Sequence, residues 1–179
     1  VINAQEGFFD VESVWPKLEQ ALRQAISNLV AMRETEGSNI YGDFIKRADL
    51  IAEKLAVIEE RSPQVVEEYQ IRLSDRINEL LAKHNQVIEP ERLLQEVAIF
   101  ADRTSITEEI VRLKSHIKQF KLIIDADQPV GRKLDFLIQE FNREANTIAS
   151  KANDYTLAQV VVEIKAEIEK IREQIQNIE

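Results

Sequence analysis

In residues 106–124 the apolar side chains Ile106, Ile110, Leu113, Ile117, Phe120 and Ile124 recur at intervals of 4, 3, 4, 3 and 4. Leu157, Val161, Ile164, Ile168, Ile171, Ile175 and Ile178 continue the same alternation almost to the end of the chain. A helix of 3.6 residues per turn gathers such positions into one narrow stripe, whereas a strand scatters them over both faces. A stripe of this kind faces water unless another helix covers it, so the last segment needs a partner from the same chain or from another copy. The four glycines and four prolines sit far apart, at Gly7, Pro16, Gly37, Gly42, Pro63, Pro90, Pro129 and Gly131, and leave long periodic runs between them. The expected fold class is all-α: long antiparallel helical hairpins, a compact C-terminal helical bundle and a coiled-coil-like last helix.

Local signals divide the chain into seven helices. Ser13 can cap the first, with Pro16 in its first turn and Trp15 packed, and Gly37 ends it. A second runs from about 39 to 61, where Ser62 as cap and Pro63 at the first helical position start a third that ends near His84 and Asn85. His84 suits that negative helix end. Pro90 opens a fourth, Ser105 with Glu108 forms a capping box for the fifth, and "DADQPVG" is the turn before a sixth over residues 130–152. The last begins near Asp154. Residues 1–86 form an extended helical hairpin region and residues 87–179 a compact C-terminal domain.

Composition narrows the function. The chain has no cysteine, so disulfides and thiolate zinc sites are excluded and any metal must rest on carboxylates or on one of two histidines. No apolar run reaches membrane-span length and no signal-peptide order opens the chain, which predicts a cytoplasmic location and no membrane partner. A formal net charge of −9 opposes generic nucleic-acid binding. The charge is uneven, however: residues 91–151 carry ten Lys and Arg against ten Asp and Glu, so an anion is best tolerated there. Gly-rich phosphate loops, nucleophile elbows, H-E-x-x-H and basic stripes interleaved with exposed aromatics are all missing.

The segment "VGRKLDFLIQEFNREANTIASKA", residues 130–152, is richer in short directional polar groups than a surface helix requires. Glu140, Glu144, Thr147 and Lys151 make one stripe, and Arg132, Asp135, Gln139, Arg143, Asn146 and Ser150 its neighbour. On the preceding helix Glu109, Arg112, His116 and Gln119 line up beside the apolar seam, and the helix before that adds Arg92, Glu96 and Arg103. If the three helices pack through their seams, these stripes meet in one groove. A carboxylate pair at i, i+4 such as Glu140 and Glu144 can share a hard divalent cation, with His116 as a further ligand for Mn²⁺. Each residue taken singly has an ordinary alternative: glutamates balanced by Arg143 and Lys151, a hydrogen-bonded structural histidine, arginines in salt bridges. The ensemble on one helix favours a site.

"RLLQEVAIFADR" (92–103), "ITEEIVRLKSHIKQF" (106–120), "VGRKLDFLIQEFNREANTIASKA" (130–152) and "VVVEIKAEIEKIREQIQNIE" (160–179) closely resemble the C-terminal part of the YicC/YloC-type endoribonuclease family. "VWPKLEQALRQAISNLVAMRETEG" (14–37) is similar to its middle region. The resemblance implies a divalent-metal-dependent endoribonuclease that cleaves RNA and assembles as a homo-oligomer, a hexamer. It also implies a family N-terminal region ahead of this stretch, so the fragment can be inactive alone.

The expected catalytic residues are His116, Glu140 and Glu144, with Glu96 or Glu109 as additional ligands to Mn²⁺ or Mg²⁺. Arg92, Arg103, Arg112, Arg132, Lys133, Arg143 and Lys151 are the expected RNA contacts. A rival route makes His116 the general base on the ribose 2′-hydroxyl with the metal merely structural. The alternative from another class is a non-catalytic acidic helical scaffold or oligomerisation module, which leaves residues 130–152 without a purpose.

Overall fold

The computed structural model describes residues 11–82, 90–126, 128–176 and 178. Among these it is all helix: α1 (Val11–Ala82), α2 (Pro90–Thr104), α3 (Thr107–Ile124), α4 (Gly131–Lys151) and α5 (Tyr155–Ile175). The chain divides between Gly42 and Asp43 into two units. The boundary expected between 86 and 87, and the capping role expected for His84, lie outside the described residues, as does the side chain of Ser13.

The breaks expected at Gly37 and at Ser62–Pro63 do not occur, because α1 is helical from Val11 to Ala82. At Pro63 the reason is visible. Phe44, Ala48, Ile51, Leu55, Ile58 and Val65 are all buried and keep one heptad register across the proline, which is itself exposed. Arg61 spans the same point. It donates to Glu68 seven residues on, at 2.5 and 2.9 Å, and to Asp154 of α5 at 2.8 Å. An interior proline costs on the order of 3 kcal/mol, and burial of Ile58 and Val65 at about 1.5–3 kcal/mol each is enough to offset it.

In the second unit α4 is the central helix, packed against α3 on one side and α5 on the other. Its buried residues, Leu134, Leu137, Ile138, Phe141, Glu144, Ala145 and Ile148, cover a wider arc than one seam because two neighbours must be served. The turns 125–130 and 152–154 are too short for anything but antiparallel hairpins. α3 buries Ile106, Ile110, Leu113, Ile117 and Phe120, and α5 buries Leu157, Val161, Ile164, Ile168, Ile171 and Ile175, so both expected seams are covered within the chain. The α1 residues beyond Asp43 close the core. Phe44 meets Phe120 edge to face at 5.5 Å, and Phe120 meets Phe141 at 5.9 Å, a geometry favoured by the ring quadrupoles. Ion pairs line the rim: Lys121–Asp49, Lys114–Glu59, Arg47–Glu167 and Lys54–Glu163.

α2 meets α1 through a stacked pair, Tyr69 and Phe100, with centroids 3.6 Å apart. α5 begins beside Asp154 as expected, and Asp154 caps it, accepting from the Leu157 N–H at 2.9 Å. Ser105 does not cap α3. Ile106 occupies the N-cap position with no side-chain cap, and the Ser105 carbonyl instead accepts from Lys151 Nζ at 3.1 Å. The first unit, taken by itself, carries Trp15, Leu18, Leu22, Leu29 and Met32 in one heptad frame, all exposed; Trp15 is therefore not packed as expected.

Candidate metal centre

Antiparallel packing of α3 on α4 sets the polar stripe of one helix against the polar stripe of the other, and the contacts fall in reverse order along the two sequences. At one end Lys151 Nζ lies 2.9 Å from Glu109 Oε1. One turn along α3, Arg112 Nε approaches Glu144 Oε2 at 3.3 Å. The next turn brings His116 level with Glu140 and Glu144. One ligand atom from each of these three lies within 4.8 Å of the others, with Glu144 buried and His116 and Glu140 half-buried. Beyond them Gln119 faces the first turns of α4 across a 370 Å³ cavity that His116 and Glu140 also line, together with Arg132, Lys133 and Phe136.

His116 is fixed by its surroundings. Its ring lies nearly parallel to Phe141, 28° between planes and 6.3 Å between centroids, and its Nε2 is buried without a hydrogen-bond partner. A buried, unpartnered ring nitrogen is poorly satisfied as it stands. One imidazole with two carboxylates is a donor set suited to Mn²⁺; the carboxylates alone are the kind of ligand that Mg²⁺ prefers. The carboxylates have cationic neighbours as well: Arg143 Nη1 stands 3.6 Å from Glu140 Oε2, beside the Arg112–Glu144 pair.

The other expected ligands lie elsewhere. Glu109 is buried but engaged by Lys151, with Arg112 at 3.8 Å, and does not join the group. Burial alone would raise its pKa, yet the hydrogen bond from Lys151 and the charges of Lys151 and Arg112 hold it below the usual carboxylate value. Glu96 is exposed on α2 and is not a member either, so the groove joins two helices rather than three.

The basic residues divide in the same way. Arg132 and Lys133 border the cavity beside His116 and Glu140; Arg112 and Lys151 are tied to carboxylates; Arg92 and Arg103 are exposed on α2. Several polar groups of α4 serve the helix itself. Thr147 Oγ1 donates to the Arg143 carbonyl, Ser150 Oγ to that of Thr147, and Gln139 to Asp135. Arg143, Asn146 and Thr147 also border a 620 Å³ recess toward Glu169 and Arg172 of α5. Phe136, placed between the seam residues Leu134 and Leu137 and so off the seam, is a further group at this cavity that the polar stripes do not include; it is 66% exposed.

Residues 58–179 match the family described as endoribonuclease YicC-like, C-terminal. The whole chain is 50% identical to the probable endoribonuclease YicC of Clostridioides difficile (strain 630), of which it covers 61%. It is 36% identical to the protein of the same name from Haemophilus influenzae (strain ATCC 51907 / DSM 11121 / KW20 / Rd), again over its full length and 60% of that relative. The chain thus spans about three fifths of the curated relatives it matches, and it belongs to the endoribonuclease YicC-like family.

Proposed function

We propose that this chain carries the metal-binding part of an endoribonuclease that hydrolyses RNA phosphodiester bonds, with His116, Glu140 and Glu144 holding one divalent cation, Mn²⁺ or Mg²⁺. The observation that carries this reading is the convergence of one ligand atom from each of the three to within 4.8 Å. The names of the relatives supply the substrate class. Bound there, a divalent cation would polarise a phosphoryl oxygen and lower the pKa of a coordinated water. The chain's own residues do the rest. Arg132 and Lys133, beside the same cavity, supply positive charge where a phosphate backbone must approach carboxylates, and Phe141 keeps the His116 ring in place.

The proposed partners are RNA and further copies of the chain, assembled as a homo-oligomer, a hexamer. The exposed heptad stripe from Trp15 to Met32 supports self-assembly, since an apolar face of that length is poorly placed in water. In the full-length protein, Leu18→Glu with Leu22→Glu should lower the oligomer mass by light scattering; an unchanged mass removes this stripe from the assembly.

One observation favours a different reading. Arg112 and Arg143 already pair with Glu144 and Glu140, as they would in a non-catalytic helical scaffold whose charges are only structural. Glu140→Gln with Glu144→Gln in the full-length protein separates the two. The proposed centre predicts a loss of RNA cleavage of at least a hundredfold at saturating Mn²⁺ with oligomer mass unchanged. Cleavage at the parent rate would remove Glu140 and Glu144 from the reaction and leave their ion pairs with Arg143 and Arg112 purely structural. Product ends address His116: a 3′-hydroxyl formed only with divalent ion fits ligation, whereas a 2′,3′-cyclic phosphate surviving EDTA fits a general base.

A further inference from the structure

The cavity beside the candidate centre has a composition that metal binding does not require. Phe136 projects from the first turns of α4 with 66% of its surface exposed, although it could have been any polar residue at no cost to the core. It shares the cavity with Arg132 and Lys133 from the same helix, and with Gln119 and His116 from α3. An aromatic face, two cations and an amide around 370 Å³ are the groups that hold one nucleotide: a ring for the base to lie on, positive charge for its phosphate, and a side chain with both a donor and an acceptor for the base edge. Glu140 lines the cavity and also belongs to the candidate metal group, so a nucleotide seated here is adjacent to that group.

We infer that this cavity is a binding subsite for a single unpaired nucleotide of the RNA, with the base stacked on Phe136 and its phosphate held by Arg132 and Lys133. The inference rests on the endoribonuclease reading for its choice of ligand. It adds a substrate class: a base inside a duplex has no free face to offer a side chain, so the RNA must be single-stranded, looped or bulged at this position. The charge of the chain points the same way. A net charge of −9 disfavours gripping a duplex by its backbone alone, and a local pair of cations beside an aromatic ring suits a splayed strand.

The test is binding without divalent ion, so that it is independent of cleavage. Full-length protein is titrated in EDTA with a short unstructured RNA oligonucleotide and, separately, with a blunt RNA duplex of the same sequence. Phe136→Ala should weaken binding of the single strand by roughly 5- to 100-fold, the range for loss of one base–aromatic stack, and leave the duplex affinity within about twofold. Phe136→Trp should restore the single-strand affinity, and its added indole fluorescence should be quenched by the oligonucleotide beyond any change seen in the parent.

Parent-like single-strand binding by Phe136→Ala overturns the subsite, as does an equal loss on the duplex. A fall in oligomer mass with Phe136→Ala, without an effect on binding, would instead make Phe136 a contact between copies and overturn it too. Cleavage by the Glu140→Gln, Glu144→Gln variant is assayed in parallel. If cleavage persists while the Phe136 dependence holds, the metal assignment fails and the subsite stands.

Discussion

Arg112 Nε lies 3.3 Å from Glu144 Oε2, a half-exposed guanidinium reaching onto a carboxylate that is almost wholly buried. The same carboxylate is one of the three groups that could hold a divalent ion, so arginine and ion compete for it. Arg112→Gln should therefore act in opposite directions with and without metal. In EDTA the variant is destabilised by about 1 kcal/mol, a figure kept small because the arginine is solvent-screened, and its thermal midpoint falls by a few degrees. In millimolar MnCl₂ its midpoint should rise by more than that of the parent. Calorimetry in the two buffers checks this, and identical shifts in both proteins would show that no competition exists.

Asp154 joins two tasks that one substitution can separate. It caps α5 by accepting from the Leu157 N–H, and it receives Arg61 of α1 at 2.8 Å. Asp154→Asn keeps an acceptor for the cap but loses the ion pair; Asp154→Ala loses both. The alanine variant should cost about 1–2 kcal/mol for the cap alone, and the asparagine variant distinctly less, measured by urea unfolding at pH 7. Equal costs would mean that the cap contributes nothing.

How far the sequence could be trusted depended on whether a feature was local or lay between helices. Ile106 to Phe120 and Leu157 to Ile175 are buried as their spacing predicts, because amphipathic periodicity is a direct imprint of burial. The break expected at Pro63 failed for the converse reason. Breaker residues state a local cost, and the buried register from Ile58 to Val65 and the Arg61–Asp154 pair are tertiary terms that outweigh it. The stripes on α3 and α4 were legible as stripes, and the structure brings His116, Glu140 and Glu144 to one point. Which members face each other was not legible, since sliding one antiparallel helix by two turns would have set Glu109 rather than His116 against Glu144. Glu96 looked equivalent to Glu109 only because nothing in its own segment says which helix α2 packs on.

Acid should weaken the second unit through a small set of carboxylates. Asp154 is held below the usual carboxylate range by the Arg61 hydrogen bond, Glu167 by hydrogen bonds from Lys170 and Arg47, and Glu109 by Lys151 despite the opposing effect of burial. A carboxyl whose folded pKa lies below its unfolded value, about 3.9 for Asp and 4.3 for Glu, contributes stability above that unfolded value. The contribution disappears as pH falls through the folded pKa. Stability should be nearly flat from pH 7 to 5 and decline below about pH 4.5. Glu109→Gln should lie below the parent at pH 7, with the gap closing as pH drops. A gap that stays constant down to pH 3 would exclude Glu109 from the acid response.

Phe141 offers a way to disturb His116 without touching a ligand. It is wholly buried, lies 5.9 Å from Phe120 by centroid, and stacks 6.3 Å from the His116 ring. Phe141→Leu keeps an apolar side chain in the core but removes the flat surface against which the imidazole rests, at a stability cost of roughly 1–2 kcal/mol. That cost should leave the helical circular dichroism unchanged. The freed ring loses its alignment with Glu140 and Glu144, so Mn²⁺ affinity, measured calorimetrically on the full-length protein, should fall about tenfold, and the His116 proton resonances should broaden or shift toward solvent values. Phe120→Leu, further from the imidazole but in the same aromatic row, serves as the control. It should cost a similar amount of stability and leave Mn²⁺ affinity within about twofold, because it loosens the contacts of Phe120 with Phe44 and Phe141 but leaves the Phe141 ring beside the imidazole. Equal losses of affinity in the two variants would mean that global loosening, and not the stacking of Phe141 on His116, governs the centre.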